Sequence, residues 1–108
     1  MKKMYVTITG LKHYFGSEFL ETGMQVKLVK DVDNEVDSEA IRVEIAGLGK
    51  IGYIANSPYT VLGESMSAGR IYDKFDDEAI AKVKYVLSTG VLCEVEERKE
   101  NEETRIEE

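Results

Sequence analysis

Short segments in which apolar and polar residues alternate recur along this chain, and this period of two residues is what most restricts its fold. The alternation is plain in MYVTIT (residues 4–9), MQVKL (24–28) and IRVEI (41–45). Successive side chains of a β-strand point to opposite faces, so each segment is predicted to be a half-buried strand. The segment IGYI (51–54) is a fourth predicted strand, because β-branched and aromatic residues favour strands and a glycine-containing turn precedes it.

One helix is predicted in the middle of the chain. Ser57 is a favourable N-cap, and Pro58 suits the first helical position, where its missing N–H costs nothing. The predicted helix runs through Met66, and Gly69 suits the left-handed residue that ends a helix. Residues 70–75 are predicted to be extended, followed by an acidic loop.

Two further strands, residues 80–87 and 91–95, are predicted to form a hairpin across the turn Ser-Thr-Gly. About six strands and one helix thus fall within 108 residues, the size of one domain. The predicted fold class is mainly β with one or two short helices (α+β), a small OB-like or SH3-like barrel whose bent sheet closes and protects its edges. Residues 1–97 are expected to form the barrel, and residues 98–108 an acidic, frayed C-terminal tail.

The formal charge of −7 lies mostly at the C-terminal end. Residues 94–108 hold eight acidic and three basic side chains, a net charge of −5, whereas residues 1–93 hold 13 and 11, a net charge of −2. The nearly balanced body leaves room for a local basic face. Tight duplex binding through many phosphate contacts is disfavoured.

The apolar segments are all far shorter than the roughly 20 residues that a membrane-spanning helix needs. The N-terminal MKKMYVTITG lacks the continuous apolar segment of a signal peptide. A single cysteine, Cys93, excludes an internal disulfide and fits a reducing compartment. A soluble cytoplasmic protein is therefore expected.

The most unusual segment is KDVDNEVDSEAI (residues 30–41), which holds five acidic side chains and one Asn. A calcium-binding EF-hand loop that began at Asp31 would need Gly at its sixth position and a bidentate Glu at its twelfth. These positions hold Val36 and Arg42, which argues against calcium.

Catalytic chemistry has little support either. Neighbouring loop acids do not establish the fixed separation that a paired-carboxylate hydrolase needs, and one Cys with one His is too few for a zinc site. No catalytic residue, metal or cofactor is predicted. Asp31 and Asp33 are interpreted as turn-forming residues. Asp37 either caps a single helical turn that leads into the strand at Ile41 or has a functional role.

Three motifs occur in order: GLKHYFG (residues 10–16), LVKDVDNEVDSEAIRV (28–43) and GKIGYI (49–54). Together they resemble the HIRAN domain, with its glycine-plus-aromatic turn, its D-x-x-N-x-x-D-x-x-A-I loop and its G-x-x-I-G-Y-I strand. The resemblance covers about residues 4–75. It implies a modified OB-like barrel, and in eukaryotic fork-remodelling helicases such a domain resembles a clamp for the free 3′ end of single-stranded DNA. This chain looks like the bacterial type that occurs alone.

The resemblance also implies a set of nucleic-acid-binding residues: Lys12, His13, Tyr14, Asn34, Val36, Asp37 and Tyr53. Aromatic rings stack on bases without regard to sequence, and a lysine neutralises a phosphate. The carboxylate of Asp37 would accept a hydrogen bond from a terminal hydroxyl and repel a phosphate at the same point. Whether Tyr53 points outward to a ligand or inward to the core stays open at this stage.

The chain departs from the DNA-binding version of the family at two positions. Val36 and His13 stand where that version has aromatic residues; Val36 does not stack, and His13 stacks less well than Tyr. The leading hypothesis is a noncatalytic nucleic-acid-binding module that prefers single-stranded DNA, with a 3′-end preference, in DNA repair or processing. The alternative is a protein-interaction or regulatory module that uses the acidic tail or a sheet edge. A metal-dependent enzyme acting through the loop carboxylates is a third hypothesis.

Overall fold

The computed structural model describes residues 3–96 and shows a closed barrel of six antiparallel strands. The strands are β1 (Met4–Thr9), β2 (Gln25–Lys30), β3 (Ile41–Ile45), β4 (Gly49–Ile54), β5 (Glu78–Leu87) and β6 (Gly90–Val95). Their order around the barrel is β1-β4-β3-β2-β5-β6, and β6 pairs again with β1. The predicted fold class is confirmed. All six predicted strands are present within a few residues of the expected ends.

The barrel interior is the core. The apolar face of each alternating segment points inward, and Ile8, Leu28, Ile41 and Ile51 come from four different strands and are fully buried. Burying such a side chain stabilises the fold by roughly 1.5–3 kcal/mol. The period of two residues is therefore the direct cause of the barrel.

Gly52 lies where β4 crosses β1. A Cβ atom at this position would lie 2.7 Å from the backbone oxygen of Thr9 and 3.0 Å from the Ile8 side chain. The strands approach this closely only because the residue has no side chain. This glycine thereby determines the position of Tyr53, the next residue, on the outside of the crossing.

The prediction of a helix that starts at Ser57 is wrong. Ser57 caps only a short turn, in which its hydroxyl oxygen accepts the N–H of Tyr59 at 3.1 Å. Gly63 then has a φ of +54°, which lies outside the helical region. The N–H of Met66 donates to the backbone oxygen of Tyr5 at 2.7 Å, so the segment ends against β1.

The helix instead follows this segment. α1 (Ala68–Ile71) begins after Ser67, whose side chain accepts the N–H of Arg70, and Gly69 lies inside the helix. A 3₁₀ turn at Tyr72–Lys74 continues it. The prediction that residues 70–75 are extended is therefore also wrong.

Lys30 of β2 explains the compact form of this segment. Its Nζ atom donates to the backbone oxygen of Phe75 at 2.8 Å and lies 4.4 Å from the centre of the Tyr72 ring. Buried Ile71 adds an apolar contact with the core. These tertiary contacts override the extended pattern of the sequence.

The closed barrel limits the surfaces that a protein partner could use, which concerns the alternative hypothesis of a protein-interaction module. Each of the six described strands has a neighbour on both sides, so residues 3–96 offer no wholly unpaired sheet edge to a partner. The acidic tail at residues 98–108 lies outside the described residues, and a partner that binds it stays a prediction. Among the described residues, no helix is long and apolar enough to cross a membrane.

Candidate nucleic-acid interface

The first sequence motif forms a tight turn between β1 and the rest of the barrel. Gly10 has a φ of +77° and leads into the 3₁₀ turn Leu11–His13. Leu11 is buried and anchors the turn, while Lys12 and His13 are exposed. The turn therefore presents polar side chains outward from a fixed base.

The turn also exposes two aromatic rings. Tyr14 is 39% exposed and Phe15 is 53% exposed. The two rings contribute to different surfaces, because Phe15 lines a hollow with Lys12 and His13, whereas Tyr14 lies beside Lys50. One motif thus contributes to two neighbouring parts of the surface.

Lys50 lies beside both tyrosines predicted to bind a ligand. Its Nζ atom is 5.4 Å from the centre of the Tyr14 ring and 4.8 Å from that of Tyr53. The ammonium group also donates to the Tyr53 hydroxyl at 3.0 Å. A cation over an aromatic face contributes about 0.5–2 kcal/mol. This hydrogen bond is the largest cause of a raised pKa for Lys50, which keeps the side chain charged.

Tyr53 points outward from the barrel and reaches the acidic loop. Its hydroxyl donates to Oδ2 of Asp31 at 2.8 Å. This contact shows that the Tyr53 side chain points away from the core: the phenol ring is half-buried, and its hydroxyl lies on the outer surface.

Asp31 is the centre of a hydrogen-bonded network, which corrects its interpretation as a simple turn residue. Its carboxylate accepts from Tyr53, from the Asn34 amide at 3.4 Å and from Arg42 at 3.3 Å. The backbone oxygen of Asp31 does accept the N–H of Asn34, so it takes part in a turn as well. The Tyr53 hydrogen bond, assisted by Asn34 and by the charges of Arg42 and Lys50, lowers the pKa of Asp31 against the opposing effect of burial.

Asn34 organises the tip of the acidic loop. Its side-chain oxygen accepts the N–H groups of Val36 and Asp37, both at 2.9 Å. This Asx-type arrangement satisfies backbone donors that the turn would otherwise leave without a partner. Both ends of the Asn34 amide are thus engaged within the loop, and its role in this structure is to set the shape of the tip.

Val36 lies at that tip and is 97% exposed. A side chain with so little contact contributes almost nothing to the stability of the fold. The loop tip therefore presents an aliphatic side chain to the outside, with no ring that could stack on a base.

Asp37 connects the loop to the segment that follows β4 and, through Asn56, to α1. Its Oδ1 atom accepts the N–H of Glu39 at 2.9 Å, and the backbone oxygen of Asp37 accepts the N–H of Ala40. The predicted cap is therefore present. Oδ2 accepts from the amide of Asn56 at 3.2 Å, and Oδ1 of Asn56 in turn accepts the N–H of Gly69 at 2.8 Å.

A hollow of about 530 Å³ opens beside the first turn. Lys12, His13 and Phe15 line one side of it, and Ser88 and Thr89 of the β5–β6 turn line the other. Its size falls within the usual range for ligand sites, about 300–1,000 Å³. The predicted residues Lys12 and His13 therefore lie at a concave surface, next to Tyr14 but on the other side of the turn.

The residues that the sequence predicts to bind nucleic acid thus lie mostly in two neighbouring groups. Tyr14, Tyr53 and Asn34 belong to the network around Asp31, and Lys12 and His13 belong to the hollow. Val36 and Asp37 lie in the loop that Asn34 shapes. Their roles in binding stay predictions.

Three residues that make side-chain contacts in this surface were not predicted from the sequence: Lys50, Arg42 and Asn56. Arg42 pairs with Tyr53 across the β3–β4 ladder, so the hairpin register would have indicated their contact. Lys50 lies within the motif GKIGYI, and a cation three residues before Tyr53 was the available signal. Asn56 carries no comparable signal, because its partners come from a distant loop and from α1.

The third hypothesis, a metal-dependent enzyme, requires side chains grouped closely enough to hold an ion. No group of three or more His, Cys, Asp or Glu side chains within residues 3–96 lies close enough to hold a metal ion. Cys93 is fully buried, and burial raises the pKa of its thiol to about 12. This thiol is therefore neutral and shielded near pH 7.

The fold and this surface define a small closed β-barrel with an aromatic and polar face built around one ordered loop. Residues 1–86 match the family model of the HIRAN domain, and the chain belongs to this family. HIRAN is known as a DNA-binding domain, and by itself it is a binding domain rather than a catalytic one.

Two solved structures are similar to the chain. The crystal structure of the HIRAN domain of human HLTF is 17% identical, with a TM-score of 0.58 over 94% of this chain and 81% of that chain. At this identity the likeness concerns the fold. The crystal structure of a protein from Lactobacillus plantarum is 26% identical, with a TM-score of 0.54 over 87% of this chain and 93% of that chain. No curated protein sequence matches the chain.

Proposed function

We propose that this chain is a noncatalytic DNA-binding module that prefers single-stranded DNA and, within it, a free 3′ end, in DNA repair or processing. The observation that carries the proposal is the convergence of Tyr14, Lys50 and Tyr53 beside an ordered polar loop, in a chain of the HIRAN family. An exposed ring and a half-buried ring next to a cation suit a flexible strand, because bases stack on rings while phosphates contact the cation.

The charge around the loop supports a preference for ends. Asp33, Glu35 and Glu39 are exposed, and Asp37 is half-buried beside them. These carboxylates would repel the phosphates on both sides of an internal nucleotide. A 3′-terminal nucleotide has a hydroxyl in place of one phosphate, so the repulsion is smaller.

Asp37 is the side chain best suited to accept that hydroxyl. A carboxylate has about four lone-pair sites, and the hydrogen bonds from Glu39 and Asn56 use two of them. A further hydrogen bond to a charged acceptor contributes about 1.5–3 kcal/mol. The Asn56 amide holds the carboxylate in place before the ligand arrives.

The test is a titration of the full chain at low salt with two labelled single-stranded oligonucleotides, one with a 3′ hydroxyl and one with a 3′ phosphate. We expect tighter binding of the 3′ hydroxyl, and a smaller preference in Asp37→Asn, which loses the charge and keeps an acceptor for the Glu39 N–H. Glu21→Gln removes one exposed carboxylate outside the loop and outside the hollow beside the first turn, and serves as the matched control. No binding of either oligonucleotide would overturn the DNA-binding proposal. Equal binding that Asp37→Asn leaves unchanged would overturn the 3′-end preference alone.

A further inference from the structure

The hollow beside the first turn exposes two large apolar side chains to solvent. Phe15 is 53% exposed on the side of the turn, and Leu87 is 49% exposed on the side of the β5–β6 hairpin. Buried Ile8 and Leu11 line the same hollow, so its apolar lining continues into the core. Exposed apolar side chains around a concave surface are typical of a site that another group covers.

Two charged side chains border the hollow, and both are available to an occupant. Lys12 and Glu18 are exposed, and neither makes a salt bridge with another residue among 3–96. On the neighbouring strand β5, by contrast, Lys84 pairs with Glu94 at 3.5 Å. An occupant that complements this lining therefore has an apolar side chain with an anion and a cation close to it.

The acidic tail of this chain contains one such segment. Ile106 is the only apolar residue of the tail, and it lies between Arg105 and Glu107. The two charged neighbours complement the charges at the hollow, because they offer a cation to Glu18 and an anion to Lys12. The tail therefore supplies the apolar group and both charges within three consecutive residues.

The tail is long enough to reach the hollow. Glu96 directly follows β6, and Gly90 at the opposite end of β6 lines the hollow. The six residues of β6 span about 20 Å, whereas the ten residues after Glu96, up to Ile106, extend to at most about 33–36 Å. A tethered segment meets its site at an effective concentration on the order of millimolar, so individually weak contacts are sufficient.

We propose that the acidic tail docks in this hollow and places Ile106 between Phe15 and Leu87. The charged neighbours of Ile106 then pair with Lys12 and Glu18. This docking goes beyond the proposed function and does not depend on it. Its consequence for DNA does rest on that function: a docked tail covers Lys12, which the strand would otherwise contact, and thereby lowers the affinity of the full chain for single-stranded DNA.

Disulfide trapping in the full chain tests the docking directly. Thr89→Cys at the hollow and Thr104→Cys in the tail leave the proposed contacts in place, and Cys93 is fully buried, so its thiol does not compete. Mass spectrometry of the protein in a glutathione redox buffer measures the intramolecular disulfide. We expect it to form about tenfold faster than in Val32→Cys/Thr104→Cys, because Val32 is 72% exposed but lies outside the hollow's lining.

Charge reversal in the Thr89→Cys/Thr104→Cys protein separates a specific contact from the mere reach of the tether. Lys12→Glu should slow the trapping by about 2–5-fold, and adding Glu107→Lys should restore the rate. Lys74→Glu changes the net charge equally at an exposed position outside the hollow's lining and should leave the rate unchanged. Trapping that is no faster than in the Val32→Cys control, or that Lys12→Glu leaves unchanged, would overturn the docking.

A titration of the full chain with a fluorescent oligothymidine tests the competition. Ile106→Ser removes the apolar contact without changing the charge and should increase the affinity for single-stranded DNA by about 2–10-fold. Thr104→Ser, in the same tail, is the matched control and should bind as the wild type does. If trapping succeeds and Ile106→Ser leaves the affinity unchanged, the competition is overturned while the docking stands. If the wild type binds no single-stranded DNA, the proposed function and the competition fall together, and the trapping result alone decides the docking.

Discussion

The Tyr53 hydroxyl donates to Oδ2 of Asp31 at 2.8 Å and thereby joins strand β4 to the loop that follows β2. The same hydroxyl accepts from Lys50, and the same carboxylate accepts from Arg42. One phenol group thus lies between a cation and an anion, and the network connects the three motifs of the sequence. The contact determines where both the loop and the aromatic face lie.

Tyr53→Phe is expected to lower the free energy of unfolding by about 1 kcal/mol, because a half-buried carboxylate loses one donor and Lys50 loses one acceptor. Urea denaturation at pH 7 measures the change. Tyr59→Phe removes a hydroxyl from a 95% exposed ring and serves as the control, with an expected change near zero. Equal effects of the two substitutions would contradict the importance of the Tyr53–Asp31 contact.

The lowered pKa of Asp31 predicts a pH dependence. The ordinary value is 3.8, and the Tyr53 hydrogen bond makes the folded state bind the proton less readily than the unfolded state does. The stabilisation is therefore fully present above pH 3.8 and is lost as the pH falls through the lower pKa of the folded state. Asp31→Asn lacks this titration. The difference in unfolding free energy between the wild type and Asp31→Asn should shrink below pH 3.8, as urea titrations between pH 7 and pH 2 would show. A difference that stays constant over this range would refute the prediction.

The strands were predictable because their signal is local. The alternating apolar residues of β1, β2 and β3 supply buried core side chains, among them Ile8, Leu28 and Ile41, and the hairpin of β5 and β6 follows from one short turn. The helix was misplaced although its cap signal was real: Ser57 does cap a turn, but Gly63 ends it and the next segment bonds to β1. Local propensity did not reveal that tertiary contacts would move the helix to Ala68–Ile71.

In the candidate site, too, short-range roles could be predicted from the sequence and long-range contacts could not. The turn-forming roles of Asn34 and Asp37 follow from short-range hydrogen bonds and were within reach of the sequence. The role of Asp31 was not, because its partner Tyr53 lies 22 residues away and is brought to it by the β3–β4 hairpin. Family resemblance located Tyr53, but only the register of the sheet showed what it contacts.

Lys50→Met is expected to weaken binding of single-stranded DNA and to reduce the salt slope of log K by about 0.7, since one phosphate contact is removed. Met keeps the apolar stem, so the packing against Tyr14 and Tyr53 is largely retained. Lys50→Arg keeps the charge and should preserve the salt slope. Fluorescence titrations at several salt concentrations give both values, and Lys82→Met provides the control. An unchanged slope in Lys50→Met would exclude Lys50 as a phosphate ligand.

Cys93 is expected to be inert in the folded protein. Its side chain is fully buried, and burial raises the pKa of the thiol to about 12, so almost no thiolate exists at pH 7. A thiol reagent should therefore react only as fast as the protein opens, and adding urea should make the reaction rapid. Absorbance of the released chromophore measures both rates. Rapid reaction without urea would contradict the buried position of Cys93 in the barrel.

Val36→Tyr is expected to increase the affinity for single-stranded DNA. The position is 97% exposed at the tip of a loop whose backbone Asn34 already holds, so a larger side chain meets no steric obstacle. A tyrosine there adds a ring that can stack on a base, and one stacked base contributes about 1–3 kcal/mol. The dissociation constant should therefore fall by about 5–150-fold.

Val36→Thr preserves the size of the side chain without a ring and should leave the affinity unchanged. Val32→Tyr is the second control, because Val32 lies in the same loop, is 72% exposed and belongs to no predicted contact. Titration of one labelled oligothymidine with all four proteins compares them directly. Equal gains from Val32→Tyr and Val36→Tyr would mean that any exposed ring increases binding, whereas a gain confined to Val36→Tyr would show that the loop tip faces the bound strand.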